Sequence, residues 1–245
     1  MDLWIIGGGA VTAKGYGRLS EGKAVRLVPG RPAIPPPDWI FDRPLPRYGR
    51  FDAFARLGCA AVALALKDAG LNQTGHKRPI GVVASSRYES LETDFAYLDT
   101  AIRDGGALAS PNLFSYTLPG IFVGECAVHF GLTGPTLCVG EQEGLGLAAL
   151  RCAATLMADG GTETMLAGCV DAPPAGVDVP ADAAPAALFV VLQSKPGAAE
   201  RPNMRLRHEG QGRLVLDGGV ELTSLAEVFS RAVSRLRDER RGNAA

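Results

Sequence analysis

Residues 134–150 read Gly134-Pro-Thr-Leu-Cys-Val-Gly-Glu-Gln-Glu-Gly-Leu-Gly-Leu-Ala-Ala-Leu150. Gly134-Pro135 ends whatever precedes it, and residues 136–139 form a short apolar run suited to a buried strand. Gly140, Gly144 and Gly146 then let the chain break sharply into a helix, predicted to run to about Ala158. That helix is apolar on nearly every side, with Arg151 its only charge before Asp159, so it is expected to be central and buried. Glu141 and Glu143 fall at its start, where free backbone N–H groups and the positive end of the helix dipole favour a carboxylate.

The surrounding chain supplies further buried strands and amphipathic helices. Residues 3–6 read as a short strand, 79–85 as a fully buried strand bounded by Pro79 and Ser85-Ser86, 164–169 and 186–192 as two more. Residues 54–69 form a long alanine-rich helix closed by Gly70. Residues 90–103 form a helix with Leu91, Phe95, Leu98 and Ile102 on one stripe. Seven prolines between Pro29 and Pro46 exclude a regular element there, and Trp39, Ile40 and Phe41 are expected to anchor an extended loop. Toward the C-terminus, 204–206 and 214–216 suit an edge hairpin, and 222–237 an amphipathic helix with Leu225, Phe229, Val233 and Leu236 on one face. The loop 170–185 carries prolines and aspartates but no identifiable chemistry.

The stretch 134–150 and its surroundings resemble the nucleophile elbow of the β-ketoacyl synthases of the thiolase-like superfamily. In those enzymes a Gly-Pro pair precedes a strand and a Thr-Ala-Cys-x-Ser-Gly turn, then a helix, a Gly-Asp near its end, and a strand reading Val-Met-Val-Ala-Gly-Gly. Here Gly134-Pro135, Gly146, Gly160-Gly161 and 164–169 (Thr-Met-Leu-Ala-Gly-Cys) match that spacing without a gap. The segment Tyr48-Gly-Arg-Phe-Asp52 and the run from Ser110-Pro111 to Gly131 are similar to the family's Arg-Phe-Asp segment and its tunnel-lining loop and helix. The resemblance implies an α/β, thiolase-like layered fold corresponding to the ketosynthase N-terminal half with a truncated C-terminal part. It covers residues 1–193 of a single domain, 1–245, and leaves 194–245 as a C-terminal extension with hairpin and helix.

The resemblance places Glu143 at the position of the nucleophilic cysteine. A carboxylate does not accept an acyl group from a carrier thioester as a thiolate does, so no catalytic residue is assigned. Neither of the family's histidine-bearing loops is found in these 245 residues. The implied role is that of a chain-length factor, a non-catalytic subunit that pairs with a catalytic β-ketoacyl synthase and shapes its acyl tunnel in type II polyketide, aryl polyene or fatty-acid-like biosynthesis. Tunnel and interface residues implied on that basis are Phe114, Tyr116, Leu118, Phe122 and Cys138. The expected interface comprises the loop 110–120, the helix 121–130 and the strand 136–139. An acyl carrier protein is an indirect partner, and a homodimer is the fallback. Two alternatives stay open: a malonyl-thioester decarboxylase using Glu143, and a homodimeric acyl-binding scaffold.

Composition narrows the other classes. A formal charge of −1 disfavours a nucleic-acid or anionic-membrane surface, and no apolar run reaches membrane-spanning length. The opening Met1-Asp-Leu-Trp-Ile-Ile-Gly7 lacks the basic region of a signal peptide, so a cytoplasmic protein is expected. Gly7-Gly8-Gly9 does not continue as a dinucleotide-binding fingerprint, because Thr12 stands where its third glycine belongs. The cysteines Cys59, Cys126, Cys138, Cys152 and Cys169 are scattered through apolar segments and read as reduced core residues. The histidines His76, His129 and His208 form no metal-ligand pair, and His129 reads as a cation at a helix end. No metal and no cofactor are expected.

Overall fold

A computed structural model describes residues 1–23, 25–142, 144–177, 184–195 and 204–242. In chain order its strands are β1 (Asp2–Thr12), β2 (Gly15–Arg18), β3 (Ile80–Ser86), β4 (Thr136–Gly140), β5 (Thr164–Asp171), β6 (Ala186–Gln193), β7 (Met204–His208), β8 (Leu214–Leu216) and β9 (Val220–Glu221). The helices are α1 (Pro37–Ile40), α2 (Ala53–Asp68), α3 (Leu91–Ile102), α4 (Pro111–Phe114), α5 (Ile121–Phe130), α6 (Leu147–Ala158) and α7 (Leu225–Gly242).

The strands join one mixed sheet in the order β4-β3-β5-β6-β1-β7-β8-β9, with β2 paired to β1. β4, β3 and β5 are mutually parallel, and β5–β6, β6–β1 and β1–β7 are antiparallel. Side chains alternate across the sheet, as a strand's period of two requires. On β6, Ala187, Phe189 and Val191 face a core built with α2 and α5. Leu188, Val190 and Leu192 face a second core built with α6 and α7. The result is a sheet sandwiched between two helical layers, with the C-terminal hairpin and α7 completing the same sheet and core.

The glycine run near the N-terminus lies inside β1 and is not a turn. A β-carbon on Gly7 would lie 2.6 Å from the Ala69 backbone nitrogen, and one on Gly9 would overlap the Ala61 carbonyl and the Ala65 N–H. These glycines therefore let α2 lie directly on the strand. Ala61, Ala65 and Ala69 keep the helix side of that contact equally thin, and Ala61 and Ala65 are wholly buried.

Helix α2, not α6, is the central buried helix. Every residue of it from Leu57 to Leu66 is buried, because the sheet lies on one side and α5 on the other. α6 buries Leu147, Ala149, Leu150, Ala153, Ala154 and Met157 against the sheet but leaves Thr155 and Ala158 exposed. Alanines satisfy a buried and an exposed face equally, so composition overstated the burial of α6.

Three further expectations change. β4 is the edge strand, and Thr136, Leu137 and Gly140 on it are exposed. The apolar stripe of α3 points outward: Phe95, Leu98 and Ile102 are all exposed, and the helix buries only Thr93. The proline-rich segment contains one helical turn, α1, which starts at Pro37 where the missing N–H costs nothing. Its Ile40 and Phe41 do anchor the loop, while Trp39 stays on the surface against the Tyr16 ring at 5.0 Å.

Candidate functional site

The C-terminal ends of parallel strands are where open α/β sheets collect polar groups, since helix starts and loops converge there. In this chain Ser86, Gly140 and Asp171 close β3, β4 and β5 on that common edge. Glu141, the first residue after β4, is buried and donates its backbone N–H to the Ser86 carbonyl at 2.9 Å. Its Oε2 accepts from Ser85 Oγ at 2.9 Å and from the Ala148 N–H at 3.1 Å, in the first turn of α6. The helix-start role expected of a carboxylate in the elbow is thus filled by Glu141. Gly146, at φ +79°, supplies the left-handed turn that launches α6.

Glu143, the residue at the nucleophile position by the sequence resemblance, lies outside the described residues.

Asp171 extends β5 two residues past the expected end of that strand and is fully buried. Its Oδ1 accepts from Ser86 Oγ at 3.2 Å and from the Arg87 N–H at 2.8 Å, while Oδ2 is buried with no hydrogen-bond partner. Burial pushes its carboxyl above the ordinary aspartate value, against the opposing pull of the Arg87 N–H and the Ser86 hydroxyl. Ser86 Oγ in turn accepts from the Glu89 N–H at 2.7 Å. Among the described residues Glu89 is the non-glycine residue with positive φ, +50°, so this turn holds a strained conformation beside the strand ends. The sequence reading missed Ser85, Ser86, Glu89 and Asp171. The signal that was available is Asp171 directly continuing a buried apolar run: an acid there must be satisfied internally.

The tunnel and interface residues separate into two groups. Phe114 and Leu118 are exposed, at 59% and 64%, and Phe114 lies 5.4 Å from the Tyr97 ring on α3. Tyr116 and Phe122 are core residues: Tyr116 packs on Phe51, and Phe122 on Phe54 and Phe189. They hold the loop 115–120 and α5 to the body of the protein and offer no surface of their own. Cys138 is half-buried on β4, and burial pushes its thiol up to about 12, which makes it a poor nucleophile at neutral pH.

His129 does lie in the last turn of α5, but it is no cation there. Its ring packs edge-on to Phe41 and Phe130, and burial lowers its pKa. Among the described residues no group of three His, Cys, Asp or Glu side chains could hold a metal ion. Among the same residues no helix is long and apolar enough to cross a membrane.

Residues 35–179, which carry α1 to α6 and the elbow, match the family description "Beta-ketoacyl synthase, N-terminal domain". The chain belongs to this family. It is 31% identical over 162 residues to a curated polyketide β-ketoacyl synthase of Streptomyces virginiae, an alignment spanning 62% of this chain and 37% of that protein. The fold is similar to that of the ishigamide ketosynthase/chain length factor, with a TM-score of 0.63 at 18% identity, covering 84% of this chain and 66% of that one. It is also similar to a chain in the complex of the ketosynthase ApeO with its chain length factor ApeC from Xenorhabdus doucetiae. There the TM-score is 0.56 at 16% identity, over 80% of this chain and 81% of that one. This ketosynthase-family chain therefore spans little more than a third of its curated relative, yet is close in length to the matched Xenorhabdus chain.

Proposed function

We propose that this chain is a non-catalytic, chain-length-factor-like subunit that pairs with a catalytic β-ketoacyl synthase and shapes its acyl tunnel in polyketide, aryl polyene or related acyl-chain biosynthesis. The observation that carries the reading is the apolar surface built from α3, α4 and the loops beside them. Phe95, Leu98, Ile102, Leu108, Phe114 and Leu118 are all more than half exposed. They belong to one packed unit, held by the Tyr97–Phe114 ring contact and by hydrogen bonds from Ser110 N–H to Thr100 Oγ1 and from Ser90 Oγ to the Thr117 carbonyl. Large apolar side chains exposed together on neighbouring elements mark a place that another chain covers. β4, at the sheet edge, is paired with β3 on one side only and leaves Leu137 exposed.

The sequence supports the non-catalytic half of the reading, because Glu143 stands where the family's cysteine carries the growing acyl chain. The similarity to ketosynthase/chain length factor structures supports the partnership half. On this reading Phe114 and Leu118 are the side chains that meet the partner and limit its tunnel, and the acyl carrier protein is reached through that partner.

The test is reconstitution with a full-length β-ketoacyl synthase and an acyl carrier protein. A heterodimer is expected, with condensation of acyl and malonyl thioesters absent from this chain alone, absent from its Glu143→Cys variant, and present in the pair. Phe114→Ala and Leu118→Ala are expected to lengthen the product without dissolving the pair. Condensation or malonyl-thioester decarboxylation by the chain alone would replace the proposal with an enzyme, and failure to associate with any ketosynthase would replace it with a scaffold.

A further inference from the structure

Away from the strand ends, two thiols meet in the central core. Cys59 on α2 and Cys126 on α5 are both buried, and their sulfur atoms lie 3.0 Å apart. That is about 1 Å longer than the covalent S–S distance of ~2.05 Å. Cys59 Sγ also faces the Phe122 carbonyl at 3.6 Å, which keeps its side chain turned toward α5. Among the described residues no other two cysteines touch; Cys138, Cys152 and Cys169 lie apart on β4, α6 and β5. The Tyr48 hydroxyl in the same core is buried without a hydrogen-bond partner. The pair lies in a core built mainly of apolar and aromatic side chains.

We propose that Cys59 and Cys126 form a reversible oxidation site, at which a small hydroperoxide converts the two thiols into an intrachain disulfide tying α2 to α5. Burial and the neighbouring sulfur raise the Cys59 thiol well above its ordinary value, so Cys126 is the sulfur that attacks the O–O bond of the peroxide, giving a sulfenic acid and releasing water or an alcohol. The second sulfur then attacks the first and expels its oxygen as water, which takes up the second thiol proton. Two thiols lose two electrons and two protons, and one peroxide is reduced. The bond closes the chain from 59 to 126, a loop containing β3, α3 and α4, so it ties α5 to the central helix and removes freedom from the unfolded chain. This inference rests on the two core helices and is independent of the proposed partner.

The experiment exposes the full chain to hydrogen peroxide, alkylates it under denaturing conditions and maps its peptides by mass spectrometry. Expected are a Cys59 peptide joined to the Cys126 peptide, a fall in alkylatable thiols from five to three, and return to five with dithiothreitol. The urea midpoint of the oxidised chain should exceed that of the reduced one, and Cys126→Ala should lose both the link and the shift. If that variant does not fold, Cys59→Ala gives the same readout, and the wild-type peptide map stands without either. Five alkylatable thiols after peroxide, oxidation of either cysteine to sulfinic acid without a link, or a link to a different cysteine would overturn the proposal.

Discussion

Helices α2 and α3 both carry strong apolar patterns, yet one is the most enclosed element of the protein and the other turns its apolar stripe to solvent. α2 starts on a cap: Asp52 Oδ1 accepts from the Ala55 N–H at 2.7 Å, and from there the sheet and α5 enclose it. α3 has no side-chain cap and rests on the body of the protein through polar contacts. Thr93 donates to Asp52 Oδ2 at 2.5 Å, and Ser90 to the Thr117 carbonyl. Periodicity says that a face wants cover, and it does not say which chain provides the cover. The core of this protein lies where apolar faces meet each other, and its proposed interface lies where one such face is left exposed by the described residues.

The largest expected effect is on the enclosed side. Leu64 on α2 is wholly buried, so Leu64→Ala leaves a cavity that neither the sheet nor α5 closes easily. A loss of about 2–5 kcal/mol is expected, read from urea unfolding. A loss under 1 kcal/mol would mean that the α2 core repacks freely and is not the fixed element of the contrast.

Asp171 comes next, where the buried side meets the strand ends. Asp171→Ala leaves the Ser86 hydroxyl and the Arg87 N–H without their acceptor, and about 1–3 kcal/mol should be lost. The pH dependence has a definite sign. The native carboxyl binds its proton more tightly than the unfolded one, for which 3.8 is the ordinary value. The contribution of this group is therefore fully present below about 3.8 and declines as pH rises through the raised native value. Asp52 and Asp68 are raised by burial as well, so the wild-type curve alone is not diagnostic. The slope attributable to Asp171 is the difference between wild type and Asp171→Asn, which should lose less stability than wild type between pH 3 and pH 7. Parallel curves would show that Asp171 is not protonated more readily in the native state.

How much of this was legible in the sequence follows the same division. The strand order in the chain, the elbow and the C-terminal hairpin and helix could be read from residues such as Gly134, Pro135, Gly146 and Leu225, because local geometry and period two or 3.6 encode them. The location of α2 at the centre could not, since Ala60 to Ala65 read equally well as an exposed helical surface until Gly7 and Gly9 are seen pressed against them. Nor could the edge position of β4, because Leu137 and Val139 carry the same apolar signal on an open edge as in a covered strand. The strand-end cluster was hidden for a different reason. Ser85, Glu141 and Asp171 lie on three strands or their ends, up to 86 positions apart, and only the parallel pairing of β3 with both neighbours brings them together.

A smaller effect is expected at the joint between the two helices. Asp52 caps α2 with one carboxylate oxygen and holds α3 with the other, so Asp52→Ala removes both links at once. A loss of about 0.5–2 kcal/mol is the usual size for such a cap. Because the second link reaches Thr93, hydrogen exchange in α3 should accelerate more than in α2, whose core packing remains. Equal acceleration in both would mean that α3 is held by something other than this contact.

The smallest effect on folding should come from the surface that the contrast singles out. Ile102 is 71% exposed at the end of α3, and Phe95 is 56% exposed on the same stripe. Neither contributes much to the folded monomer, so Ile102→Ser and Phe95→Ser should shift stability by no more than about 0.5 kcal/mol. Association is a different matter, since buried aromatic and large aliphatic side chains at the centre of an interface commonly cost more than about 1 kcal/mol each when removed. The double variant, titrated against a β-ketoacyl synthase by calorimetry or analytical ultracentrifugation, should therefore bind at least tenfold more weakly while unfolding like wild type. Stability lost without any change in association would show that the α3 stripe is covered within this chain after all. An unchanged outcome on both counts would move the interface to the open edge of β4, where Leu137 is then the next residue to replace.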